Sequence, residues 1–337
     1  MPGLPSTLRH SSQDEPGFTR RRRGRGFSYH DVSGNLVQSK TQLARIKALG
    51  LPPAYEDVWI CRHANGHLQA VGTDARGRQQ YRYHAEWRAY QDRLKFDALE
   101  DFGRALPGLR DQVAADLRRN RPDRVMVSAA LIRLIDVAGL RIGSDRYAKL
   151  NGSYGASTLL SRHLKLNGTQ LKLSFRAKGG RRVRKQLKDR TLARVLSRID
   201  DVPGQRVFTC IGDDGDSYPV LSEDVNAYIA ATTKDDRFSA KTFRTWQGTL
   251  YALNDAYDKR SNLTIKRMSE AAAERLHNTP SIARSSYIHP SVIDLARLKE
   301  QQRDARLDTI DLRRAPNGLP TDEKRLISFL AAQRETI

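Results

Sequence analysis

The chain has 337 residues, of which 59 are Lys or Arg and 38 are Asp or Glu, so its net charge at pH 7 is +21. Hydrophobic residues make up 39% of the chain; this composition excludes global disorder and allows about two domains. An excess of positive charge spread over a whole globular chain favours a polyanionic partner, above all nucleic acid. An anionic membrane surface is the alternative, but it would favour one basic amphipathic helix, whereas here arginines lie in every segment.

Cysteine use and hydropathy indicate the compartment. Cys61 and Cys210 lie far apart and form no CxxC pair, which fits a reducing environment. The first residues contain no apolar signal-peptide core. The most apolar stretch, 128–140, is interrupted by Arg133 and Asp136 and is too short to span a bilayer. The sequence therefore predicts a soluble, intracellular protein.

Residues 1–26 are predicted to be a disordered basic arm. Five arginines, Arg20 to Arg23 and Arg25, cluster in it. Such a run is typical either of a nucleic-acid contact or of a solvated tail, and the sequence leaves both open.

Residues 27–90 are predicted to form a small β-rich N-terminal domain with one helix over 39–50. Two of its strands, 57–63 and 67–72, are separated by the hairpin signal Asn65–Gly66. The pattern is short-period throughout, which is typical of strands that bury one face.

Residues 91–337 are predicted to be mainly helical and to carry one sheet. Period-two alternation over 156–187, with turns at Asn167–Gly168 and Gly179–Gly180, predicts three antiparallel strands. The expected helices cover 97–120, 125–140, 189–200, 222–231, 240–257, 265–276 and a segment around Tyr287. The fold class is therefore α+β, a small β-rich domain followed by a larger, mainly α-helical domain with a three-stranded antiparallel sheet.

No cofactor or metal is predicted. The chain lacks a GxxxxGK[ST] phosphate-binding loop, so ATP-driven work is not expected. The acidic segment 212–217 lacks the remaining ligands of a calcium loop and is interpreted as a turn. Cys61, His63 and His67 would need a fourth ligand to hold zinc, and the Asn65–Gly66 turn already accounts for that segment.

Phosphoryl chemistry can use fixed cations in place of metals, and the chain has the necessary residue types. Arginine can bind two non-bridging phosphate oxygens with its planar guanidinium. A lysine can protonate the departing oxygen, and a tyrosine can be the covalent nucleophile. The candidates are Arg141, Lys178 at the predicted hairpin tip, Arg244, Asn278 and Tyr287.

The local sequence around Tyr287 favours a chemical role for it. Thr279–Pro280 is a helix cap followed by a first-turn proline, which places Tyr287 about two turns into a helix. The residues that precede it, 283–286, read Ala-Arg-Ser-Ser and are too polar for a plain core face.

Several blocks, in order, resemble the type IB DNA topoisomerases, in particular the small bacterial and poxvirus-like branch. The segments IKALGLPPAYEDVWI and GRQQYRYH resemble the family's N-terminal domain. The segments RIGSDRYAKLNGSYGASTLL, KGGRR, KTFRTW and HNTPSIARSSY resemble its catalytic blocks. The expected architecture is that shared by tyrosine recombinases and type IB topoisomerases.

The resemblance implies a role for each candidate. Tyr287 would attack a DNA phosphodiester, form a 3′-phosphotyrosyl bond and release a 5′-hydroxyl. Arg141 and Arg244 would stabilise the developing charge, and Lys178 would be the general acid. Asn278 stands where poxviral and eukaryotic relatives have histidine, so it can donate a hydrogen bond but cannot act as an acid or base.

The resemblance also implies how DNA is bound. It assigns DNA contacts to Gln80, Tyr81, Tyr83, Tyr147 and Lys241. The expected partner is double-stranded DNA, held by a monomer whose two domains enclose the duplex, with no membrane involvement. The enzyme would relax positive and negative supercoils without ATP or metal, in the cytoplasm with the nucleoid.

Two other functions remain as alternatives. A tyrosine recombinase would share the catalytic residues, but recombinases typically carry a His-x-x-Arg-His block, and here Lys241 to Thr245 contains neither histidine. A non-catalytic basic DNA-binding protein would explain the charge. It would not explain why every catalytic position is filled by a chemically competent residue.

Overall fold

The computed structural model describes residues 3–334 and divides the chain into two compact units, Met1–Leu94 and Lys95–Ile337. The sequence had placed the boundary after residue 90. The first two residues of the predicted arm and the last three of the predicted C-terminal domain lie outside the described residues. Within 3–334, no helix combines the length and the apolar character needed to cross a membrane.

The N-terminal unit is built on one antiparallel sheet of five strands, in the order β2-β1-β3-β4-β5. Its helix α1 packs Ile46 against Val58, Ile60 and Ala70 of the sheet. The elements are β1 Gly17–Arg23, β2 Gly26–His30, α1 Lys40–Ala48, β3 Glu56–Cys61, β4 Leu68–Thr73, β5 Gln79–Tyr83 and α2 Ala85–Asp97.

The prediction of a disordered arm is wrong for the described residues. β1 pairs with β2 over residues 19–23 and with β3 over 17–19. Farther upstream, the hydroxyl of buried Ser11 donates to the carbonyl of Leu68 at 3.0 Å. The segment is ordered because partners distant in sequence satisfy its backbone hydrogen bonds. A local count of charges does not detect such partners.

The C-terminal unit is mainly helical, and its three-stranded antiparallel sheet has the order β6-β7-β8, as predicted. The elements up to α6 are α3 Leu99–Asp116, α4 Arg124–Ala138, α5 Asp145–Asn151, β6 Leu164–Asn167, β7 Gln170–Arg176, β8 Arg182–Lys188 and α6 Arg190–Asp200. Those that follow are β9 Thr209–Ile211, β10 Ser217–Pro219, α7 Ser222–Thr233, α8 Ala240–Asp258, α9 Ile265–Leu276, α10 Pro280–Tyr287, α11 Pro290–Asp294, α12 Glu300–Asp308 and α13 Thr321–Arg334. Four features are not predicted from the sequence: α2, α5, the β9–β10 ribbon and the helices after α10.

The first strand of the sheet is shorter than the alternation predicted. β6 begins at Leu164, and the preceding residues form two short 3-10 turns. Side chains there bind backbone groups outside the ladder: Ser157 donates to the Ile142 carbonyl at 3.0 Å, and His163 Nδ1 accepts from the Leu160 amide at 3.1 Å. Such bonds compete with a strand ladder, so the period-two pattern is overridden.

The core of the C-terminal unit surrounds α8. Trp246 is fully buried, and Phe102 on α3 packs edge-on to it with ring centroids 6.1 Å apart. Gly103 permits this approach, because a Cβ there would lie 2.4 Å from Trp246 Cη2. α8 is therefore a closely packed central helix, and its first turns lie at the site described below.

A buried ion network ties the C-terminal helix into this core. Arg110 on α3 donates to both oxygens of Asp136 on α4, at 2.8 and 3.1 Å, and to both oxygens of Glu323 on α13, at 2.6 and 2.8 Å. Trp246 Nε1 donates to Glu323 at 3.2 Å. Although burial opposes a charge here, the hydrogen bonds that Arg110 donates to Glu323 and Asp136 raise its pKa above the usual range.

Arg110→Ala is expected to destabilise the C-terminal unit by about 3–5 kcal/mol, because it leaves two buried carboxylates without their cation. Urea unfolding followed by the fluorescence of Trp246 measures this, with Trp59 and Trp87 replaced by Phe. Arg118→Ala, at an exposed position just after α3, is the control and should change stability by no more than about 0.5 kcal/mol. Equal unfolding midpoints for the two variants would contradict the assignment.

Candidate active site

Four of the five predicted catalytic side chains meet in the C-terminal unit. Arg141 lies just beyond the end of α4, and its Nη2 donates to Oδ1 of Asn278, which lies in the turn between α9 and α10. Arg244 on α8 places its guanidinium carbon 4.9 Å from the ring centroid of Tyr287, the last residue of α10. Segments far apart in sequence thus bring two arginines, an amide and a phenol together.

Arg244 is held as a buried cation between two helix ends. The residue is 3% exposed, and its Nη1 and Nη2 donate to the carbonyls of Gly139 at 2.6 Å and Leu276 at 3.0 Å. These carbonyls close α4 and α9, where the helix dipole is negative. Burial, and then the charge of Arg141, lower the pKa of Arg244 to about 10, so it stays protonated at neutral pH.

Two buried donors of this cluster have no hydrogen-bond partner among residues 3–334. They are Nε of Arg244 and Nδ2 of Asn278, and Asn278 is only 5% exposed. A buried unsatisfied donor costs about 1–3 kcal/mol and in a native protein indicates a function or a ligand. An oxyanion is the ligand that would satisfy both donors and offset the arginine charges.

The Tyr287 phenol is electrostatically prepared to lose its proton. Burial alone would raise its pKa, but Arg244, through its charge and its N–H groups, and the charges of Arg141 and Lys241 together outweigh burial, so the pKa of Tyr287 is lowered. The Thr279 side chain caps α10 by accepting from the Ile282 amide at 3.2 Å. This confirms the predicted helix start and fixes where Tyr287 falls.

Lys178 lies at the tip of the β7–β8 hairpin, as predicted, but does not join the other four directly. Its Nζ lies 5.3 Å from the centroid of the Tyr147 ring, and its side chain is exposed. The same hairpin reaches the site through Arg181, whose Nη1 donates to the Asn278 carbonyl at 2.7 Å. Gly179 and Gly180 adopt φ values of 77° and 76°, a left-handed conformation that favours glycine.

Three further residues lie around the site and were not predicted as site residues from the sequence. Lys185 lies on β8 with Val183 and Leu187, and burial, then Arg275 and Arg244, lower its pKa to about 8. The sequence feature that could have identified Lys185 is its inward-facing position in an alternating strand. His277 has φ 51° at the end of α9, and burial, then Lys185, lower its pKa to about 4. Arg275 donates to the α4 carbonyl of Val137 at 3.0 Å.

Two of the expected DNA-contact residues lie in this unit. Lys241 is exposed in the first turn of α8, three residues before Arg244, a spacing that puts both on one side of the helix. Tyr147 is half-buried on α5 beside Lys178. Lys241 is close enough to Tyr287 for its charge to affect the phenol, whereas Tyr147 adjoins Lys178.

The other three lie on β5 of the N-terminal unit, on two faces of the strand. Tyr81 and Tyr83 are 45% and 38% exposed, and their rings stack with centroids 6.2 Å apart. Gln80 points to the opposite face, where its Nε2 donates to Asp74 at 3.1 Å. The aromatic pair is therefore available for a ligand, whereas Gln80 already has a partner.

The metal candidates have other partners. His63 Nε2 lies 2.9 Å from Nη1 of Arg9, and His67 Nδ1 accepts from the Ser11 amide at 3.1 Å. The acidic segment 212–217 connects β9 to β10, and Asp214 accepts from the Asp216 amide there at 3.0 Å. In the part of the chain that the structure covers, no three His, Cys, Asp or Glu side chains are grouped to hold a metal ion.

Two family models match the chain. Residues 84–306 match the catalytic core of eukaryotic DNA topoisomerase I, and residues 26–74 match the N-terminal domain of bacterial DNA topoisomerase IB. The first match alone covers more than half of the chain and contains all five candidate catalytic residues. This chain belongs to the type IB DNA topoisomerase family.

Individual proteins resemble this topoisomerase to different degrees. The DNA topoisomerase 1B of Acanthamoeba polyphaga mimivirus is 29% identical over 293 residues, which cover 83% of this chain and 87% of the viral one. Among solved structures, XerH site-specific recombinase bound to difH before cleavage aligns with a TM-score of 0.38 and 17% identity, over 61% of this chain and 53% of that chain. XerH after cleavage of palindromic difH gives 0.37 and 17%, over 59% and 49%. The chain spans about half the length of these recombinase chains.

Family membership confirms the resemblance found in the sequence. The protein is a type IB DNA topoisomerase with DNA as its partner, and its fold is of the predicted mixed class.

Gly248 of the topoisomerase sets how closely α10 approaches α8. A Cβ at Gly248 would lie 2.7 Å from the carbonyl oxygen of Tyr287 and 2.9 Å from its Cβ. Gly248 is one turn beyond Arg244, so the same side of α8 carries the arginine and leaves room for the tyrosine backbone. Any larger residue at this position must displace Tyr287.

Gly248→Ala is therefore expected to displace Tyr287. With the role that the family resemblance implies for Tyr287, this should slow single-turnover DNA cleavage about 10- to 100-fold, since a shift of about 1 Å in a reacting group can cost that much. Gly108→Ala is the matched control, because a Cβ there meets nothing within 4 Å. The control should cleave like wild type and gain up to about 1 kcal/mol of helix stability. Wild-type cleavage by Gly248→Ala would show that the close approach does not position Tyr287.

Proposed function

We propose that this topoisomerase cleaves one DNA strand with Tyr287 as the nucleophile, in a site completed by Arg141, Lys178, Arg244 and Asn278. The observation that carries the proposal is the buried Arg244 guanidinium, 4.9 Å from the Tyr287 ring, beside two buried donors without partners. A phosphodiester fits this arrangement because it brings the anionic oxygens that the donors lack.

The reaction is an exchange of phosphoryl bonds. The Tyr287 oxygen attacks the phosphorus, a tyrosyl O–P bond forms, and the bond from phosphorus to the 5′-oxygen breaks. The phenol loses one proton, and the departing 5′-oxygen gains one. The broken strand rotates about the intact one, and the 5′-hydroxyl then attacks the 3′-phosphotyrosine to restore the DNA and Tyr287. The covalent bond conserves the energy of the phosphodiester, so no ATP is required.

Arg141, Arg244 and Asn278 are proposed to bind the non-bridging oxygens. Arg244 has its Nη groups committed to helix carbonyls and Nε unpartnered, so Nε is its free donor. Asn278 accepts from Arg141 and keeps Nδ2 to donate. Charge on those oxygens grows in the transition state, and loss of one preorganised donor costs about 100- to 1000-fold in rate. Two fixed guanidinium charges supply what a metal ion supplies in other phosphoryl transfers.

Lys178 is proposed to donate the proton to the 5′-oxygen. Its ammonium is exposed at a hairpin tip built from two glycines, so it can move toward DNA. The turn that carries Lys178 is held to the site by the bond from Arg181 to the Asn278 carbonyl. The lysine thus combines reach with a defined location, which a general acid needs.

The remaining contacts are proposed to hold the duplex. The exposed Tyr81–Tyr83 stack in one unit, and Lys241 and Tyr147 in the other, would bind the same DNA in a monomer whose units enclose it. A net charge of +21 makes affinity fall steeply as salt rises. The proposed place of action is chromosomal DNA in the cytoplasm.

The test of the nucleophile is plasmid relaxation in EDTA without ATP. Wild type is expected to relax positively and negatively supercoiled plasmid and, after an SDS quench, to remain attached to a 3′ DNA end. Tyr287→Phe removes one oxygen and should abolish both results while DNA binding persists. Relaxation by Tyr287→Phe, or none by DNA-binding wild type, would overturn the proposal and favour a recombinase or a non-catalytic binder.

The test of Lys178 uses DNA with a sulfur in place of the bridging 5′-oxygen at the cleavage site. A thiolate leaves without needing a proton, so Lys178→Ala should lose about 100- to 1000-fold on ordinary DNA and recover on the sulfur substrate. Arg244→Lys is the control and should remain slow on both, because it loses charge stabilisation at a site shaped for a guanidinium. Equal losses for Lys178→Ala on both substrates would rule out the general-acid role.

A further inference from the structure

The β1–β2 hairpin extends past the rest of the N-terminal sheet. β1 pairs with β3 only over residues 17–19, whereas its pairing with β2 continues to Arg23–Gly26. From Arg20 onward β1 therefore has one neighbour, and the two strands form a free ribbon. The ribbon over residues 20–27 is called the arginine hairpin below.

The arginine hairpin is a preorganised element. Gly24 and Arg25 form a two-residue turn, and Gly24 has φ +55°, as favoured at the first position of a tight hairpin turn. At its base, Arg20 donates to the carbonyls of Leu51 at 3.4 Å and Pro52 at 3.1 Å and lies 4.2 Å from the Phe27 ring. The base is anchored, so the tip presents its side chains at low entropic cost.

The four arginines at the tip are exposed and unneutralised. Arg21, Arg22, Arg23 and Arg25 make no side-chain hydrogen bond or ion pair within residues 3–334. The acidic residue beside them is Asp57, which shares a groove with Arg21 without an ion pair. Four cations within five residues repel one another, and alternation along β1 spreads them over both faces of the ribbon. This distribution fits a partner with charges on two sides, as the strands of a nucleic acid groove provide.

The position of the hairpin separates it from the contacts already proposed. β2 lies at the edge of the sheet opposite β5, and β1, which carries Arg21 to Arg23, lies three strand spacings, or about 14 Å, from β5. That distance corresponds to about four base pairs of the roughly 35 Å helical repeat of DNA. The match to the bacterial N-terminal domain begins at residue 26, so Arg21 to Arg23 lie outside the segment that matches.

We propose that the arginine hairpin is a second DNA-binding element, which binds backbone phosphates about four base pairs beyond the segment held by β5. The inference rests on the proposed contact of β5 with duplex DNA. The hairpin would lengthen the bound segment by about four base pairs and add up to four phosphate contacts. A major groove admits a two-stranded ribbon of this kind, and arginine can bind two phosphate oxygens at once.

The experiment measures binding of duplexes of increasing length in a Tyr287→Phe background, so that cleavage does not intervene. One variant changes Arg21, Arg22, Arg23 and Arg25 to Gln, and its matched control changes the same four to Lys. The Gln variant should lower the slope of log K against log salt by up to about 3.6, at about 0.9 for each lost phosphate contact. It should also reach maximal affinity on duplexes about four base pairs shorter, while the Lys control keeps most of the wild-type slope.

Equal salt slopes and equal length dependence for wild type and the Gln variant would overturn the proposal. Thermal unfolding of both proteins shows whether the Gln variant keeps the sheet, since Arg20, the anchor, is left in place. A variant with Tyr81 and Tyr83 changed to Ala tests β5 separately. Loss of the length effect only in that variant would assign the extra base pairs to β5 and also reject the hairpin proposal.

Discussion

The buried guanidinium of Arg244 is the interaction on which the rest of the site depends. Its two Nη groups bind the carbonyls that end α4 and α9, and the segments after those helices carry Arg141 and Asn278. Helix carboxyl ends are negative, so two of them would repel if brought together without a cation. Arg244 removes that repulsion, and the two carbonyls in turn hold its guanidinium in place. One side chain is therefore both the link between the two helix ends and the charge beside Tyr287.

This arrangement leaves the site with an excess of positive potential. The pKa values of Tyr287 and Lys185 are lowered, and that of His277 falls to about 4. Arg244 contributes to all three shifts, although burial is the larger cause for Lys185 and His277. The free protein therefore carries the cost of cations held close together and of donors without acceptors. The phosphodiester proposed to bind here would bring both acceptors and negative charge, so part of its binding free energy would come from relieving these unfavourable interactions.

Elements with strong local signals could be predicted from the sequence, and those made by distant partners could not. Thr279–Pro280 identified the start of α10, and the glycines at 179–180 identified the hairpin that carries Lys178. The strand at Gly17–Arg23 was missed because its charges suggest disorder, while the contacts that order it come from β2 and β3. Among site residues, the family blocks contained Arg141, Arg244, Asn278 and Tyr287, which the fold brings together. Lys185 and Arg275 were not predicted because their place at the site depends on tertiary contacts: Lys185 is buried near Arg244, and Arg275 binds the carbonyl of Val137.

The amide at position 278 is consistent with this electrostatic setting. His277, its neighbour, is kept neutral by burial and by the surrounding cations, with a pKa of about 4. Asn278 needs no change of protonation state to donate, because its Nδ2 carries hydrogens at any pH and is buried without a partner among the described residues. In the proposed site this amide would donate one N–H to a phosphate oxygen, while the arginines would carry the charge.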